Sequence, residues 1–134
     1  MADVKNRYVE VVSAGGGFEL VENGCSTQTL VFNKKHDRID KKKMKKKDKY
    51  RIFFFLDETG PFTFDRTSPI EIDGQSCPYP ERDPEFEVDG VEDYVLELIN
   101  RDQTEQEYKF TLNLHDGKSR VVYDPIMSNR NGGS

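Results

Sequence analysis

The strongest constraint on the fold is a strict alternation of apolar and polar residues in "YKFTLNLH", residues 108–115. A period of two places alternate side chains on opposite faces of a β-strand, whereas a helix would need apolar residues three or four positions apart. An apolar set on one face only is typical of an antiparallel sheet that covers a core. The segment therefore predicts a half-buried strand. Its apolar members are Tyr108, Phe110, Leu112 and Leu114.

The same signal recurs along most of the chain. In residues 49–57, "KYRIFFFLD", alternation again predicts a strand, and we assign its phenylalanines to the core. The core-facing set is Tyr50, Ile52, Phe54 and Leu56. Further strands are expected at residues 7–14, 26–33, 93–100 and 120–123, and in the short pieces "PFTF" and "IEI". Seven to nine short strands, about ten residues apart, predict a single antiparallel β-sandwich, immunoglobulin-like or jelly-roll-like.

Turn-forming residues suggest how the last strands connect. The polar residues 101–107 predict a hairpin between residues 93–100 and 108–115. Asp116-Gly117 favours a type I′ turn into residues 120–123, so that three strands would form a meander. Proline cannot donate to a sheet ladder, so Asp124-Pro125 should end the last strand. Residues 126–134 are then expected to be a flexible tail.

The length and apolar content indicate one domain without a membrane helix. The chain has 134 residues, near the usual size of one domain, and its longest apolar run is only five residues. The first residues carry acids and lack the apolar stretch of a secretory signal. With no export signal, Cys25 and Cys77 are expected to be free thiols in a reducing compartment rather than a disulfide. The sequence therefore predicts a cytoplasmic protein.

The charge distribution is uneven. Residues 34–51 hold eleven Lys or Arg and three Asp, whereas the rest of the chain holds nine Lys or Arg and twenty-two Asp or Glu. Such a block repels itself and has no apolar face to bury, so residues 34–49, the lysine segment, should form a long solvated loop between strands. Its candidate partner-binding or anion-binding residues are Lys41, Lys42, Lys43, Lys45, Lys46 and Lys47.

Four interpretations of the lysine segment stay open. It can be a hydrated hairpin tip that aids solubility. It can pair with acidic surface on its own fold or on a second copy. It can bind nucleic acid through phosphate charge, or lie on an anionic membrane surface. The acidic remainder argues against a dedicated nucleic-acid binder, which usually interleaves aromatic residues with its basic ones. Among the interpretations that involve a partner, a protein partner or a homo-oligomer is therefore favoured over nucleic acid.

Acidic residues concentrate in residues 81–93, "ERDPEFEVDGVED". They predict an acidic contact surface for the lysine segment. A loose calcium site is the alternative, although the helix–loop–helix calcium pattern fails because its twelfth position is Leu96. We expect no resident metal or cofactor. The candidate contact residues are Asp83, Glu85, Glu87, Asp89 and Glu92, of which all but Glu87 form the calcium alternative.

The sequence offers little to support catalysis. His36 lies within the lysine segment, and alternation turns His115 outward. Neither has an adjacent Ser or Cys, and no nucleophile-elbow motif is present. Gly15-Gly16-Gly17 is not followed by the helix and Lys-Ser/Thr of a phosphate-binding loop, and a flexible break is expected there. We therefore expect a non-enzymatic interaction or structural module.

The C-terminal stretch "RVVYDPIMSNRNGG" resembles the DP-EP family of bacterial β-rich proteins. Tyr123, Asp124, Pro125 and Asn129 match that family's Tyr-Asp-Pro…Asn pattern, while Met127 stands where the pattern has Ile. The order "FTF…SPIEI" before the final strands is also similar, so the resemblance covers about the last 80 residues. It implies a one-domain sandwich and carries no mechanism. The lysine segment is not part of it.

Overall fold

The computed structural model describes residues 4–33, 49–76 and 85–130. Within these residues it has thirteen strands and no helix. The strands are β1 Val4–Ala14, β2 Gly17–Glu22, β3 Cys25–Thr27, β4 Thr29–Phe32, β5 Lys49–Phe55, β6 Thr63–Phe64, β7 Ile70–Ile72, β8 Gln75–Ser76, β9 Phe86–Val91, β10 Val95–Asn100, β11 Gln106–His115, β12 Arg120–Tyr123 and β13 Ile126–Asn129.

The strands form two sheets. Sheet I has six strands in the order β3-β2-β1-β5-β10-β9. Sheet II has seven, with the path β4-β13-β11-β7-β8, and β12 and β6 also pair with the long strand β11. The chain passes between the sheets several times, so most strands have partners that are distant in sequence.

The inner faces of both sheets share one hydrophobic core. Sheet I contributes the alternating residues of β5, in which Tyr50, Ile52 and Phe54 are fully buried. The Phe54 ring meets the Phe110 ring of β11 at a centroid distance of 5.9 Å. These contacts confirm the predicted core faces of both strands. The shared core is consistent with a sandwich arrangement of the two sheets.

The purely antiparallel arrangement that we expected is wrong. β1 pairs with β5 in parallel, and β13 pairs with β4 in parallel. Parallel neighbours cannot be joined by a tight hairpin, so each pair needs a long connection. The strand number also exceeds the expected seven to nine, because four of the thirteen strands in the described part have three residues or fewer.

The predicted hairpin between residues 93–100 and 108–115 does not form. β10 lies in sheet I between β5 and β9, whereas β11 lies in sheet II. The chain crosses at Asp102, which has a φ of 46° and is fully buried. The predicted meander is therefore reduced to its second half, the β11–β12 pair.

Two predictions at the C-terminal end also need correction. In the β11–β12 connection Gly117 has a positive φ but Asp116 does not, and Asp116 Oδ1 accepts the N–H groups of Lys118 and Ser119. The turn is therefore held by an aspartate side chain and is not of type I′. The expected flexible tail is wrong for Ile126–Asn129, which forms β13 with Met127 fully buried.

A buried amide pair links the two sheets. Asn100 of β10 and Asn129 of β13 each donate through Nδ2 to the other's Oδ1 at 2.8 Å. Asn100 Oδ1 also accepts the N–H of Asp102 at 3.0 Å. Because buried amides are costly without partners, this reciprocal pair specifies how the ends of β10 and β13 meet.

Candidate interaction surface

Part of the predicted site lies outside the described residues. This is true of Lys41, Lys42, Lys43, Lys45, Lys46, Lys47 and Asp83. It is also true of Cys77, whereas Cys25 is an exposed free thiol. Lys49, which we placed at the end of the lysine segment, is the first residue of β5. Asn33, which precedes the segment, donates its backbone N–H to Tyr50 Oη at 3.1 Å. The residues on either side of the lysine segment are therefore in contact.

The acidic candidate Glu85 has a structural role. Its carboxylate accepts the backbone N–H groups of Gln103 and Thr104 at 2.9 and 3.1 Å. It also accepts Asn129 Nδ2 at 2.9 Å. These three hydrogen bonds connect the segment that crosses between the sheets, after β10, to the Asn100–Asn129 pair.

Two further acidic candidates are paired with arginines. Glu87 accepts Arg101 Nη2 at 2.7 Å. Asp89 lies 3.4 Å from Arg51 Nη2, and the same guanidinium lies 3.1 Å from Glu97. Glu92 is exposed in the connection from β9 to β10. The structure thus brings Glu85, Glu87 and Asp89 to one edge of sheet I, where neighbouring groups already bind or neutralise them.

A second surface lies on the outer face of sheet I. Alternation turns Tyr8 of β1 and Phe53 and Phe55 of β5 away from the core. We call these three residues the aromatic stack. The Tyr8 and Phe53 rings have centroids 5.1 Å apart and planes 11° apart, and each lies 6.3 Å from the Phe55 ring. Tyr8 is 56% exposed, so the stack presents aromatic surface to solvent.

The ring spacing defines the shape of this surface. Two coplanar rings with centroids 5.1 Å apart would overlap, so Tyr8 and Phe53 must be offset along their common normal. With nearly parallel planes, the two rings form a stacked pair. Because both strands are bonded on each side within the sheet, the rings stand on a rigid base.

A groove of about 900 Å³ adjoins the aromatic stack. We call it the outer groove. Its size is within the range of sites that bind small ligands or single side chains. The β5–β6 connection forms one wall, and the turn between β2 and β3 lies at the other side. The lining includes Tyr8, Glu10, Val12, Val21, Phe55 and Phe62.

Two of the lining residues that the structure describes are charged, and both are carboxylates. Glu10 is exposed on β1, and Asp57 lies just after β5. The Thr59 hydroxyl and backbone N–H donate to Asp57 Oδ1 at 2.7 and 2.9 Å, and these bonds lower the pKa of that carboxyl. The groove therefore carries negative charge at neutral pH and would repel a phosphate group.

His115 takes part in a surface contact. Its Nε2 lies 3.0 Å from Asp65 Oδ2, while Asp65 Oδ1 accepts the N–H groups of Thr67 and Ser68. The backbone hydrogen bond from Ser68 is the largest cause of the lowered pKa of Asp65. The pair fastens the β6–β7 connection to the end of β11.

Comparison with known proteins adds no relative. No protein-family model matches the sequence, and no curated protein matches it. The resemblance to the DP-EP family stays a prediction. In the described part of the chain no helix is long and apolar enough to cross a membrane. In the same residues no cluster of three or more His, Cys, Asp or Glu could hold a metal ion.

Our sequence reasoning missed the aromatic stack. It assigned the phenylalanines of "KYRIFFFLD" to the core as a group. The alternation that buries Phe54 necessarily turns Phe53 and Phe55 to the opposite face. That signal was present in the sequence. What the sequence did not reveal is that Tyr8 lies beside Phe53, because β1 and β5 are separated by the lysine segment.

Proposed function

We propose that this protein is a non-enzymatic β-sandwich interaction module that associates with a second copy through its lysine segment. The observation that carries the proposal is the combination, on one face of sheet I, of carboxylates and the aromatic stack, in which Tyr8 is exposed and Phe53 and Phe55 are half-buried. The segment supplies the complementary charge, since residues 34–51 hold eleven Lys or Arg. Opposite charge on two surfaces steers encounter and fixes orientation.

In this proposal the lysine segment contacts the outer face of sheet I, and not the acidic residues that we predicted from the sequence. Glu85, Glu87 and Asp89 are engaged within the molecule, so their charge is less available to a partner. The outer face offers Glu10 and the aromatic stack, and aromatic residues are enriched in protein interfaces. An exposed free Cys25 fits a reducing compartment, so we place the module in the cytoplasm.

The alternative function is a polyanion-binding module that uses Lys41, Lys42, Lys43, Lys45, Lys46 and Lys47 on nucleic acid or an anionic membrane surface. No contact among the described residues favours it. The outer face of sheet I carries exposed rings, as nucleic-acid platforms do, but the carboxylates beside them oppose a phosphate backbone.

The test is the molar mass in solution, measured by size-exclusion chromatography with light scattering at about 50 mM and about 500 mM salt. The native chain is compared with a variant in which the six central lysines are changed to serine. We expect an oligomer at low salt that dissociates at high salt and is absent in the variant. An unchanged monomer mass in all four runs contradicts self-association, and an RNA titration of the native chain then tests the alternative.

A further inference from the structure

The position of Glu10 gives the outer groove its chemical character. In the sheet I register Glu10 stands between Phe55 of β5 and Val21 of β2. All three side chains point to the outer face. Among the residues that the structure describes, no ion pair or hydrogen bond involves the Glu10 carboxylate. A carboxylate with no counter-ion among the described residues therefore stands between an aromatic ring and a branched aliphatic side chain.

Apart from Glu10 and Asp57, the lining residues that the structure describes are apolar or weakly polar. Val12, Val21 and Pro61 supply aliphatic surface, and Ser13 and Asn23 supply neutral hydrogen-bonding groups. The lining residues that the structure describes include no Lys or Arg. The site thus combines a long apolar wall with negative charge, and a matching ligand needs an apolar stem that ends in a cation.

We propose that the outer groove binds a lysine side chain, with its methylene stem against the aromatic stack and its ammonium group at Glu10. Lysine has this division between an apolar stem and a compact charged head. An ammonium group also gains from the face of an aromatic ring within about 6 Å. The identity of the occupant rests on the proposed function: it is a lysine from the lysine segment of a second copy.

Charge complementarity supports this occupant over other classes. A phosphate or carboxylate ligand would meet Glu10 and Asp57 with no cation in the described lining to offset the repulsion. A purely apolar ligand would bury against Glu10 and leave its charge without water or a partner, which is costly. A lysine satisfies the ring surface and the carboxylate together.

The experiment uses the full chain with Lys41, Lys42, Lys43, Lys45, Lys46 and Lys47 all changed to serine, so that six of the nine lysines of the chain's own lysine segment no longer compete. The probe is a synthetic peptide of residues 34–49, titrated by calorimetry and by amide chemical shifts. A peptide with serine at the same six positions is the control ligand. Tyr8→Leu and Glu10→Gln are then introduced, with Glu105→Gln, at an exposed position in the β10–β11 connection, as the matched control for loss of an exposed carboxylate. Thermal unfolding checks that each variant is folded.

We expect the peptide to shift amides of β1 and β5 around the outer groove. Tyr8→Leu and Glu10→Gln should each weaken binding about tenfold, the size expected when a ring or a counter-ion for an ammonium group is lost. Glu105→Gln should leave the affinity unchanged, and the serine peptide, which keeps three of the nine lysines, should bind more weakly. If the Tyr8→Leu and Glu10→Gln variants bind the peptide as tightly as the chain without these two substitutions does, or if the shifts are confined to the β9 edge, the proposal is overturned.

The outcomes separate this inference from the proposed function. If the native chain is a monomer but the peptide binds in the groove, self-association fails and the lysine site stands. If the native chain forms a salt-sensitive oligomer that Tyr8→Leu and Glu10→Gln leave intact, self-association stands and the lysine site is wrong.

Discussion

At the scale of single residues, Arg7 shows how one side chain can tie two sheets together. It projects from β1 of sheet I, and its Nε donates to Glu22 at 2.7 Å. Its Nη1 donates to the carbonyl oxygen of Val31 in sheet II at 2.6 Å. Its guanidinium carbon lies 4.3 Å from the centroid of the Phe32 ring. One planar cation thus satisfies a carboxylate, a carbonyl and an aromatic face, which a lysine could not match.

This geometry predicts a large effect of Arg7→Met on stability. The Arg7 and Glu22 side chains are only 14% and 18% exposed, so removing the cation strands a largely buried carboxylate. We expect the free energy of unfolding to fall by about 2–4 kcal/mol. Urea denaturation at neutral pH measures it.

The matched control is Arg66→Met. Arg66 also pairs with a carboxylate, Asp93, at 3.2 Å, but both side chains are about 60% exposed. That loss should stay below about 1 kcal/mol. Equal losses in the two variants would contradict the inter-sheet role of Arg7.

At the scale of elements, tight turns decide which strands pair locally. In the part of the chain that the structure describes, three two-residue turns have positive φ at both central positions: Gly15-Gly16, Asn23-Gly24 and Asp73-Gly74. Each joins two antiparallel neighbours, as type I′ turns do. We expected a type I′ turn at Asp116-Gly117, but there the Asp116 side chain accepts backbone N–H groups and a different turn forms. At the glycines after β1 we expected a flexible break, and a two-residue turn forms instead. Asn-Gly and Asp-Gly pairs in the sequence indicate candidate type I′ turns. The surrounding structure decides which of these pairs adopt that turn.

The first turn supports a prediction on glycine substitution. Gly16 has a φ of +84°, a region that costs an alanine roughly 1–2 kcal/mol. Gly17 follows in β2 without a positive φ, and a Cβ there would meet its nearest atom at 3.9 Å. Gly16→Ala should therefore lower the free energy of unfolding by about 1 kcal/mol.

Gly17→Ala is the control and should change stability by less than about 0.5 kcal/mol, or raise it slightly by restricting the unfolded chain. Chemical denaturation of the three proteins side by side gives the comparison. A smaller cost at Gly16 than at Gly17 would contradict the turn assignment.

At the scale of the whole molecule, burial of two tyrosines links folding to alkaline pH. Burial, reinforced by the charge of Glu85, raises the pKa of Tyr108 from 10.0 to about 12. Burial, reinforced by Glu19, does the same for Tyr123, also to about 12. The folded protein therefore keeps two protons that the unfolded chain releases near pH 10.

The sign of the pH dependence follows from these raised values. The contribution of both tyrosines to stability is complete below pH 10 and is lost as the pH rises from 10 towards 12. We expect the free energy of unfolding to decline over that interval, and Tyr108→Phe and Tyr123→Phe each to make the decline shallower. Tyr8→Phe, at an exposed position, is the control for loss of a hydroxyl. An unaltered slope in both test variants would contradict this account.

The division between local and tertiary information is clearest in β5. Its sequence alone determines that Tyr50, Ile52 and Phe54 share one face, because side-chain direction in a strand depends only on the backbone. The same alternation predicted β11 correctly. The lack of an N–H donor in proline predicted that β12 ends before Pro125. The charge contrast between the lysine segment and the rest of the chain is likewise a property of the sequence.

Strand partners were decided only by the tertiary structure. The local sequence of β10 does not predict that it pairs with β5 and β9 rather than with β11. The sequence of residues 126–129 likewise does not predict that β13 lies parallel to β4. Such pairings join residues far apart in the chain and depend on how two whole sheets bury a common core. The aromatic stack and the outer groove arise from these pairings, because Tyr8, Phe53 and Glu10 become neighbours only once β1 lies beside β5.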